Sequence, residues 1–126
     1  MRRVAFLLVA LALAACSDAG SSEDATVTMG EGHRFAPDVA VVQAGTVVTF
    51  VNESSEAHTV TAYDGAPAHF SSGGFGSEEE ARDNLADALV GQEGTYEVTF
   101  DEPGTYRYFC IPHEDQGMKA TIEVEG

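Results

Sequence analysis

The stretch RYFCIPHEDQGMKATIEV, from Arg107 to Val124, contains two strand-like segments joined by a short loop. Aromatic residues before the loop and alternating apolar residues after it are typical of β-strands. The loop places a thiol, an imidazole and a thioether within nine residues, in Cys110, His113 and Met118. The stretch therefore predicts a β-protein in which one connection between strands carries a set of chemically distinctive side chains.

Similar strand-like segments recur through most of the remaining chain. They are β-branched or aromatic, have a period of two, and are separated by turn-forming sequences such as QAGT, NESSE and DEPGT. Seven short strands in about a hundred residues predict an all-β fold, an antiparallel sandwich with Val, Phe and Ile side chains in its core. The predicted strands are 25–29, 39–43, 47–52, 58–63, 95–100, 105–110 and 119–125.

One segment, SEEEARDNLADALVG at 77–91, predicts a short helix instead. Ser77 is a favourable N-cap, Glu80 completes a capping box, and Gly91 is a suitable C′ residue. A Gly/Ser-rich loop at 64–76 precedes the helix. An apolar stripe would pack the helix on the sandwich, although it could also bind a partner; it consists of Ala81, Leu85, Ala88 and Leu89.

The N-terminus predicts an export signal peptide at 1–15. Arg2 and Arg3 precede an apolar run that is too short to span a bilayer, and small residues follow it. The sequence LAAC, ending at Cys16, resembles the lipobox of bacterial-type lipoproteins, in which the cysteine is lipidated after cleavage. Ordinary cleavage that leaves a free Cys16 is the alternative, and the export route stays open. The small, acidic residues that follow predict a lipidated tether at 16–24 and a single domain at 25–126.

Charge and cysteine content restrict the possible partners. The chain has 21 acidic and six basic residues, and two of the basic residues lie in the predicted signal. This charge argues against nucleic acid and anionic membrane surfaces as direct partners, and it predicts a saline habitat; the alternative is a solvated acidic surface with no bearing on partners. If Cys16 is lipidated, no disulfide can form, and Cys110 is a lone thiol in an oxidising compartment.

Soft thiolate and thioether ligands combined with imidazole select copper, and a His₂Cys set with a weak axial Met forms a blue-copper electron-transfer site. Such a site needs a second histidine, which His58 supplies at the start of a predicted strand. The alternatives are a buried structural cysteine, a thiol nucleophile with a histidine base, and a structural zinc site. His33 and His69 are predicted to be surface or loop residues, with His69 the better candidate for an additional ligand.

The chain resembles the blue copper proteins of the plastocyanin type, and most closely the halocyanins, which are membrane-anchored forms in halophiles. The resemblance is carried by FAPDVAVVQAGTVVTFVNESSEAHTV at 35–60 and by PGTYRYFCIPHEDQGMKATIEV at 103–124. It implies a Greek-key cupredoxin sandwich with one type 1 copper per chain. It also implies the copper ligands, which are His58, Cys110, His113 and Met118.

By the same resemblance, the protein would be a monomeric one-electron carrier rather than an enzyme, held outside the cytoplasm and serving redox proteins of unknown identity. Thr59 would form a hydrogen bond near the thiolate. A copper storage or delivery protein using the same ligands is the alternative function. An apolar electron-transfer patch would surround His113; it would contain Ile111, Pro112, Phe35 and Pro37, with Ala36, Ala66 and Pro67 beside them.

Overall fold

Two four-stranded sheets form the body of the computed structural model, which describes residues 24–126. The first sheet has the order β2-β1-β4-β6 and the second has the order β3-β8-β7-β5. The predicted signal peptide and most of the predicted tether lie outside the described residues. The strands are β1 (Asp24–Gly30), β2 (Arg34–Ala36), β3 (Val39–Gln43), β4 (Thr46–Asn52), β5 (Thr61–Ala62), β6 (Thr95–Phe100), β7 (Gly104–Phe109) and β8 (Lys119–Glu125).

The core lies between the two sheets and is rich in aromatic rings. Alternate residues of β4 are buried, as the period of two predicts for a strand with one face on the core. Phe50 of β4 meets Tyr108 of β7 edge to face at 5.4 Å between ring centroids, so the two sheets are joined by direct ring contacts. The buried rings are those of Phe35, Phe50, Phe70, Phe100, Tyr106, Tyr108 and Phe109.

The sandwich is confirmed, but its sheets are mixed rather than wholly antiparallel. β1 is parallel to β4, and β3 is parallel to β8. The chain changes sheet at five of the seven connections between the described strands, so neighbours in one sheet are often separated by a strand of the other. Alternation of apolar residues with a period of two identifies strands but does not show whether two paired strands run parallel or antiparallel. The sequence pattern therefore could not predict the two parallel pairs.

The predicted strands differ from the observed ones in three places. β2 was missed, because it has only three residues and ends directly before Pro37. The predicted strand 58–63 is a strand only at Thr61–Ala62. Residues 58–60 instead form backbone hydrogen bonds with Ser72 and Val90, which belong to the long connection between β5 and β6. β1 begins at Asp24, one residue before the predicted domain boundary.

The predicted helix is two short helices, α1 (Glu78–Asp83) and α2 (Leu85–Ala88), which are separated at Asn84. Ser77 caps α1 as predicted, since its hydroxyl accepts a hydrogen bond from the N–H of Glu80. The Glu80 carboxylate accepts from the N–H of Gly76 rather than from Ser77, so the capping box is shifted by one residue.

The predicted end of the helix was wrong. Leu89 is already extended, and α2 ends before Gly91 could serve as its C′ residue. Within residues 24–126, no helix combines the length and the hydropathy that a membrane span requires.

Tyr96 of β6 makes the stability of the sandwich sensitive to alkaline pH. Its ring packs against Phe50, and burial raises the pKa of its hydroxyl to about 12, compared with roughly 10 in an unfolded chain. The folded state therefore holds this proton more tightly. The contribution of the Tyr96 hydroxyl to the free energy of unfolding is complete below about pH 10. It is lost as the pH rises through about 12.

We therefore expect the free energy of unfolding of the metal-free protein to fall less in Tyr96→Phe than in the wild type between about pH 9 and pH 11. Urea unfolding at the two pH values measures this difference. Equal losses in both proteins would contradict the expectation.

Candidate metal centre

Three donor atoms from two separate loops converge at one end of the sandwich. Nδ1 of His58 lies 3.0 Å from Nδ1 of His113, and Sγ of Cys110 lies 3.6 Å and 3.4 Å from these two nitrogens. His58 and Cys110 are fully buried, and His113 is partly buried. The three side chains together have the composition and the separation of a metal-binding group.

The dimensions of this triangle fit a small metal ion. A point equidistant from the three atoms lies about 1.9 Å from each, close to metal–nitrogen bonds of roughly 2.0–2.1 Å and a metal–sulfur bond of about 2.3 Å. A slight expansion of the triangle would therefore accommodate an ion at its centre. One thiolate and two imidazoles are the donors that type 1 copper uses, so the residues present fit copper.

The connection between β7 and β8 supplies two of the three donors. Cys110 directly follows β7, and its N–H donates to the carbonyl of Met118 at 3.0 Å. A 3₁₀ helix, Ile111–Gln116, then turns the chain and ends at Gly117, which has a φ of +83°. This left-handed conformation favours glycine and lets the chain enter β8.

Met118 closes the same loop. Its N–H donates to the carbonyl of His113 at 3.2 Å, and its side chain is fully buried in the core cluster that also contains Cys110. The predicted Met118 thus lies at the same end of the sandwich as the three converging donors. If copper is held by these three donors, Met118 is the residue that would supply a fourth, weak thioether ligand.

His58 is oriented by a hydroxyl that the sequence analysis did not identify. Nε2 of His58 lies 2.8 Å from Oγ of Ser54. The single hydroxyl proton of Ser54 has two other acceptors, Oδ1 of Asn52 at 2.8 Å and the carbonyl of Glu56 at 2.9 Å. Ser54 therefore accepts the proton of Nε2, which leaves the lone pair of Nδ1 directed at the metal pocket.

Backbone pairing holds His58 from the other side. Its N–H donates to the carbonyl of Val90 and its carbonyl accepts from the N–H of Val90, at 3.1 Å and 2.7 Å. Val90 follows the two helices in the connection between β5 and β6. One function of this region is thus to pair with the segment that carries a donor histidine.

Thr59 contacts the thiol of Cys110. Its backbone N–H donates to Sγ of Cys110 at 3.3 Å, and its hydroxyl accepts from the N–H of Ile111 at 2.8 Å. The two hydrogen bonds tie the segment after β4 to the segment after β7. A hydrogen bond to a ligand sulfur also adjusts how much electron density the sulfur gives to a metal.

Without a metal, the three donors are electrically neutral near pH 7. Burial raises the pKa of the Cys110 thiol. Burial also lowers the pKa of His58 and of His113, and the proximity of other histidines adds to both shifts. The neutral imidazoles present free lone pairs, whereas the thiol must lose its proton when a metal binds.

A second network fixes the ligand loop from the side of α1. The guanidinium of Arg82 contacts both carboxylate oxygens of Glu114, at 3.0 Å and 3.1 Å, and lies 4.5 Å from the centre of the Phe109 ring. Tyr63 donates to the same carboxylate at 2.6 Å. The bond from Arg82 is the main reason why the pKa of Glu114 is lowered. Because Glu114 follows His113, α1 restrains the loop that carries two of the donors.

The predicted apolar patch is only partly present around His113. Pro112 and Pro37 are exposed and Ile111 is partly exposed, in agreement with the prediction. Phe35 is only 4% exposed and packs edge to face on Tyr108, so it is a core residue and not part of the surface.

Ala66 and Pro67 were placed wrongly. Pro67 lies against Gly104 and Ala66 lines a cleft with Thr105, near the start of β7. Cys110 is six residues further along, about 20 Å away at the rise of a β-strand. Ala66 and Pro67 therefore do not belong to the surface near His113.

Of the two remaining histidines, His33 rather than His69 lies beside the converging donors. His33 stacks on His113, with 4.1 Å between the ring centroids and an interplanar angle of 21°. His69 instead lines a cleft with Phe100 and Tyr106, and its Nε2 is buried without a hydrogen-bond partner within the described residues. The sequence analysis did not place His33 near the candidate metal centre, because only the turn after β1 brings it there.

His33, Glu56 and His113 also lie close enough together to suggest a second metal site. A metal bound to an imidazole lies in the plane of the ring, along the nitrogen lone pair. No single ion can lie in the planes of two rings that are stacked nearly parallel. The stacked geometry therefore excludes these two rings as joint ligands unless one of them turns.

Comparison with known proteins agrees with this chemistry. The family model for copper-binding proteins of the plastocyanin/azurin family matches residues 22–125. Plastocyanin from Scenedesmus fuscus is 35% identical over 106 residues, which cover 81% of this chain and 100% of that protein. Chloroplastic plastocyanin from Physcomitrium patens is 37% identical over 108 residues, which cover 82% of this chain and 60% of that protein.

Among solved structures, amicyanin from Paracoccus versutus superimposes with a TM-score of 0.61 at 24% identity. The match covers 83% of this chain and 84% of that chain. At this level of identity the similarity supports the fold alone.

Replacement of Ser54 tests how the hydroxyl orients His58. In Ser54→Ala, Nε2 loses its acceptor and the tautomer with a free Nδ1 is no longer favoured. We expect the affinity for copper to fall by about 10- to 100-fold, as measured by competition with a chelator. Ser55→Ala is the matched control, because Ser55 is exposed and only its backbone N–H bonds to Glu31. Equal affinities in the two variants would contradict the assignment.

Proposed function

This chain belongs to the plastocyanin/azurin family of copper-binding proteins, and we propose that it is a one-electron carrier that alternates between Cu(II) and Cu(I). The observation that carries the proposal is the convergence of Nδ1 of His58, Nδ1 of His113 and Sγ of Cys110 within 3.6 Å of one another. Buried Met118 completes the set of donors that this family uses.

When bound, copper supplies an ion with two oxidation states that differ by one electron and prefer different geometries. The protein's contribution is to hold the donors so that they move little between the two states. Ser54 fixes the His58 ring, Thr59 fixes the Cys110 sulfur, and the contacts between Arg82 and Glu114 restrain the loop around His113. Small structural change on electron transfer keeps the barrier low.

The buried environment of the thiol supports the same proposal. Cys110 is fully buried, so the thiolate formed on metal binding is shielded from water and from oxidants. His113 is the donor that lies nearest to the surface, and its ring offers a route for an electron to leave the core. These features suit repeated electron transfer without loss of the metal.

The visible spectrum tests the proposed centre. Addition of Cu(II) to the purified protein should give an intense blue thiolate-to-copper band, which ascorbate bleaches and reoxidation restores. Cys110→Ala should abolish the band, because the thiolate is its origin. A band of unchanged intensity in the variant would mean that Cys110 is not a ligand and would overturn the proposal.

Repeated cycles of reduction and oxidation separate electron transfer from copper storage or delivery. An electron carrier should retain its copper through many cycles in the presence of a chelator. Transfer of copper to the chelator at each reduction, at a rate similar to that of reoxidation, would favour delivery instead.

We further propose that the domain works outside the cytoplasm on a lipid anchor, as in the halocyanins. The support is the signal-like sequence at 1–15, the lipobox-like LAAC that ends at Cys16, and the small, acidic residues between Cys16 and β1. Two acyl chains on one cysteine satisfy the requirement for stable attachment to a membrane. The strongly acidic composition agrees with a saline habitat, in which salt screens the repulsion between carboxylates.

Detergent phase partition tests the anchor. When the full chain is expressed in a bacterium that lipidates its own exported proteins, the product should enter the detergent phase, and Cys16→Ala should move it to the aqueous phase. Mass spectrometry of the mature N-terminus should show the lipid on Cys16. An unmodified Cys16 in the mature protein would contradict this proposal without affecting the copper centre.

A further inference from the structure

The surface around the metal centre presents a histidine that does not belong to the donor set. The ring of His33 lies 4.1 Å from that of His113, nearly parallel to it, and 6.3 Å from that of His58, nearly perpendicular. The His113 side chain is 14% exposed, and that of His33 is 27% exposed. His33 therefore covers part of His113 and reaches further into solvent.

His33 is held in this position by several independent contacts. Its Nε2 lies 2.8 Å from Oε2 of Glu56. The carboxylate of Glu31, two residues earlier, accepts from the N–H of Ser55 at 2.6 Å. The turn after β1 is thus tied twice to the loop after β4, which also carries Ser54.

The backbone of His33 is unusual as well. Its φ is +59°, a left-handed conformation that few residues other than glycine adopt, although histidine does so more often than most. A side chain kept in such a conformation, and fixed by a carboxylate, has a defined direction rather than a free rotation. Here that direction places the ring flat against a donor imidazole.

We propose that His33 is the terminal group of the electron path, and that a one-electron redox protein docks on the face formed by His33 rather than directly on His113. This inference rests on the proposed function. One electron passes from the reduced centre through the His113 ring and the stacked His33 ring to the partner. The centre is oxidised by one electron, the partner is reduced by one, and no proton moves.

The shape of the surroundings agrees with this docking face. His33 lines a cleft together with exposed Ala36, Pro37 and Gly117, and the charged side chains of the same cleft are those of Arg34, Asp38 and Lys119. The small residues leave part of the rim open to a partner, and the charged ones offer it both signs of charge. Stacked aromatic rings in van der Waals contact leave no gap between them, so the second ring extends the electron path toward the surface.

Electron self-exchange between oxidised and reduced copies of the protein tests the inference without a known partner. It should be measured at about 1 M salt, where the screening length of about 3 Å removes the repulsion between two acidic copies. In His33→Ala the rate should fall at least several-fold, because water or empty space replaces the outer ring. In His33→Asn, which tolerates the left-handed backbone but has no aromatic ring, the rate should fall as it does in His33→Ala. His69→Ala is the control and should have no effect.

NMR spectra of the metal-free protein give a readout that does not depend on electron transfer. The ring protons of His113 should shift in both His33→Ala and His33→Asn, because the ring current of His33 is lost in each variant. His33→Ala with an unchanged or faster self-exchange rate would show that His33 is only a cover and would overturn the inference. An unchanged His113 shift would overturn it as well.

The failure of the inference can be told apart from the failure of the proposed function. A wild-type protein that shows no blue band or no reversible redox cycle would refute both, and this is established before any His33 variant is made. A wild-type protein that cycles normally, combined with a His33→Ala variant that exchanges electrons as fast, would refute the docking face alone.

Discussion

The structure depends on keeping one sulfur and two imidazole nitrogens together although they come from two distant parts of the chain. His58 and His113 are 55 residues apart, yet their Nδ1 atoms are separated by 3.0 Å. The proximity of the two imidazole nitrogens and the sulfur does not by itself stabilise the fold. The surrounding hydrogen bonds maintain it. Most of the local architecture at this end of the sandwich serves that purpose.

The sandwich and the long connection between β5 and β6 share the task of holding the donors. β7 carries Cys110 to the end of the core, where the rings of Phe50 and Tyr108 join the two sheets. The connection pairs with His58 through Val90 and restrains the ligand loop through Arg82. What looks in sequence like an added helical insertion is therefore part of the support of the metal centre.

Charge and exposure divide the site into an inner and an outer part. Cys110 and His58 are sealed from water, which keeps the thiol protonated until a metal displaces the proton. His113 and His33 form a stacked pair that leads outward, with Glu56 beside both rings. The inner part contains the converging donors, and the outer part is the face on which we propose that a partner docks.

The sequence by itself determined most of the strands, much of the apolar core and the grouping of Cys110, His113 and Met118, because each follows from residue type and local spacing. Alternation along β4 and β8, the N-cap at Ser77, and the order of Cys110, His113 and Met118 are local properties of the chain. The tertiary structure alone decided which strands run parallel, that Phe35 lies in the core, and that Ser54 orients His58. It also brought His33, rather than His69, to the site, because the turn after β1 meets the loop after β4 only when the sheet is formed. Contacts between distant segments depend on the order and direction of the strands in each sheet. The alternation of apolar residues along a strand specifies neither.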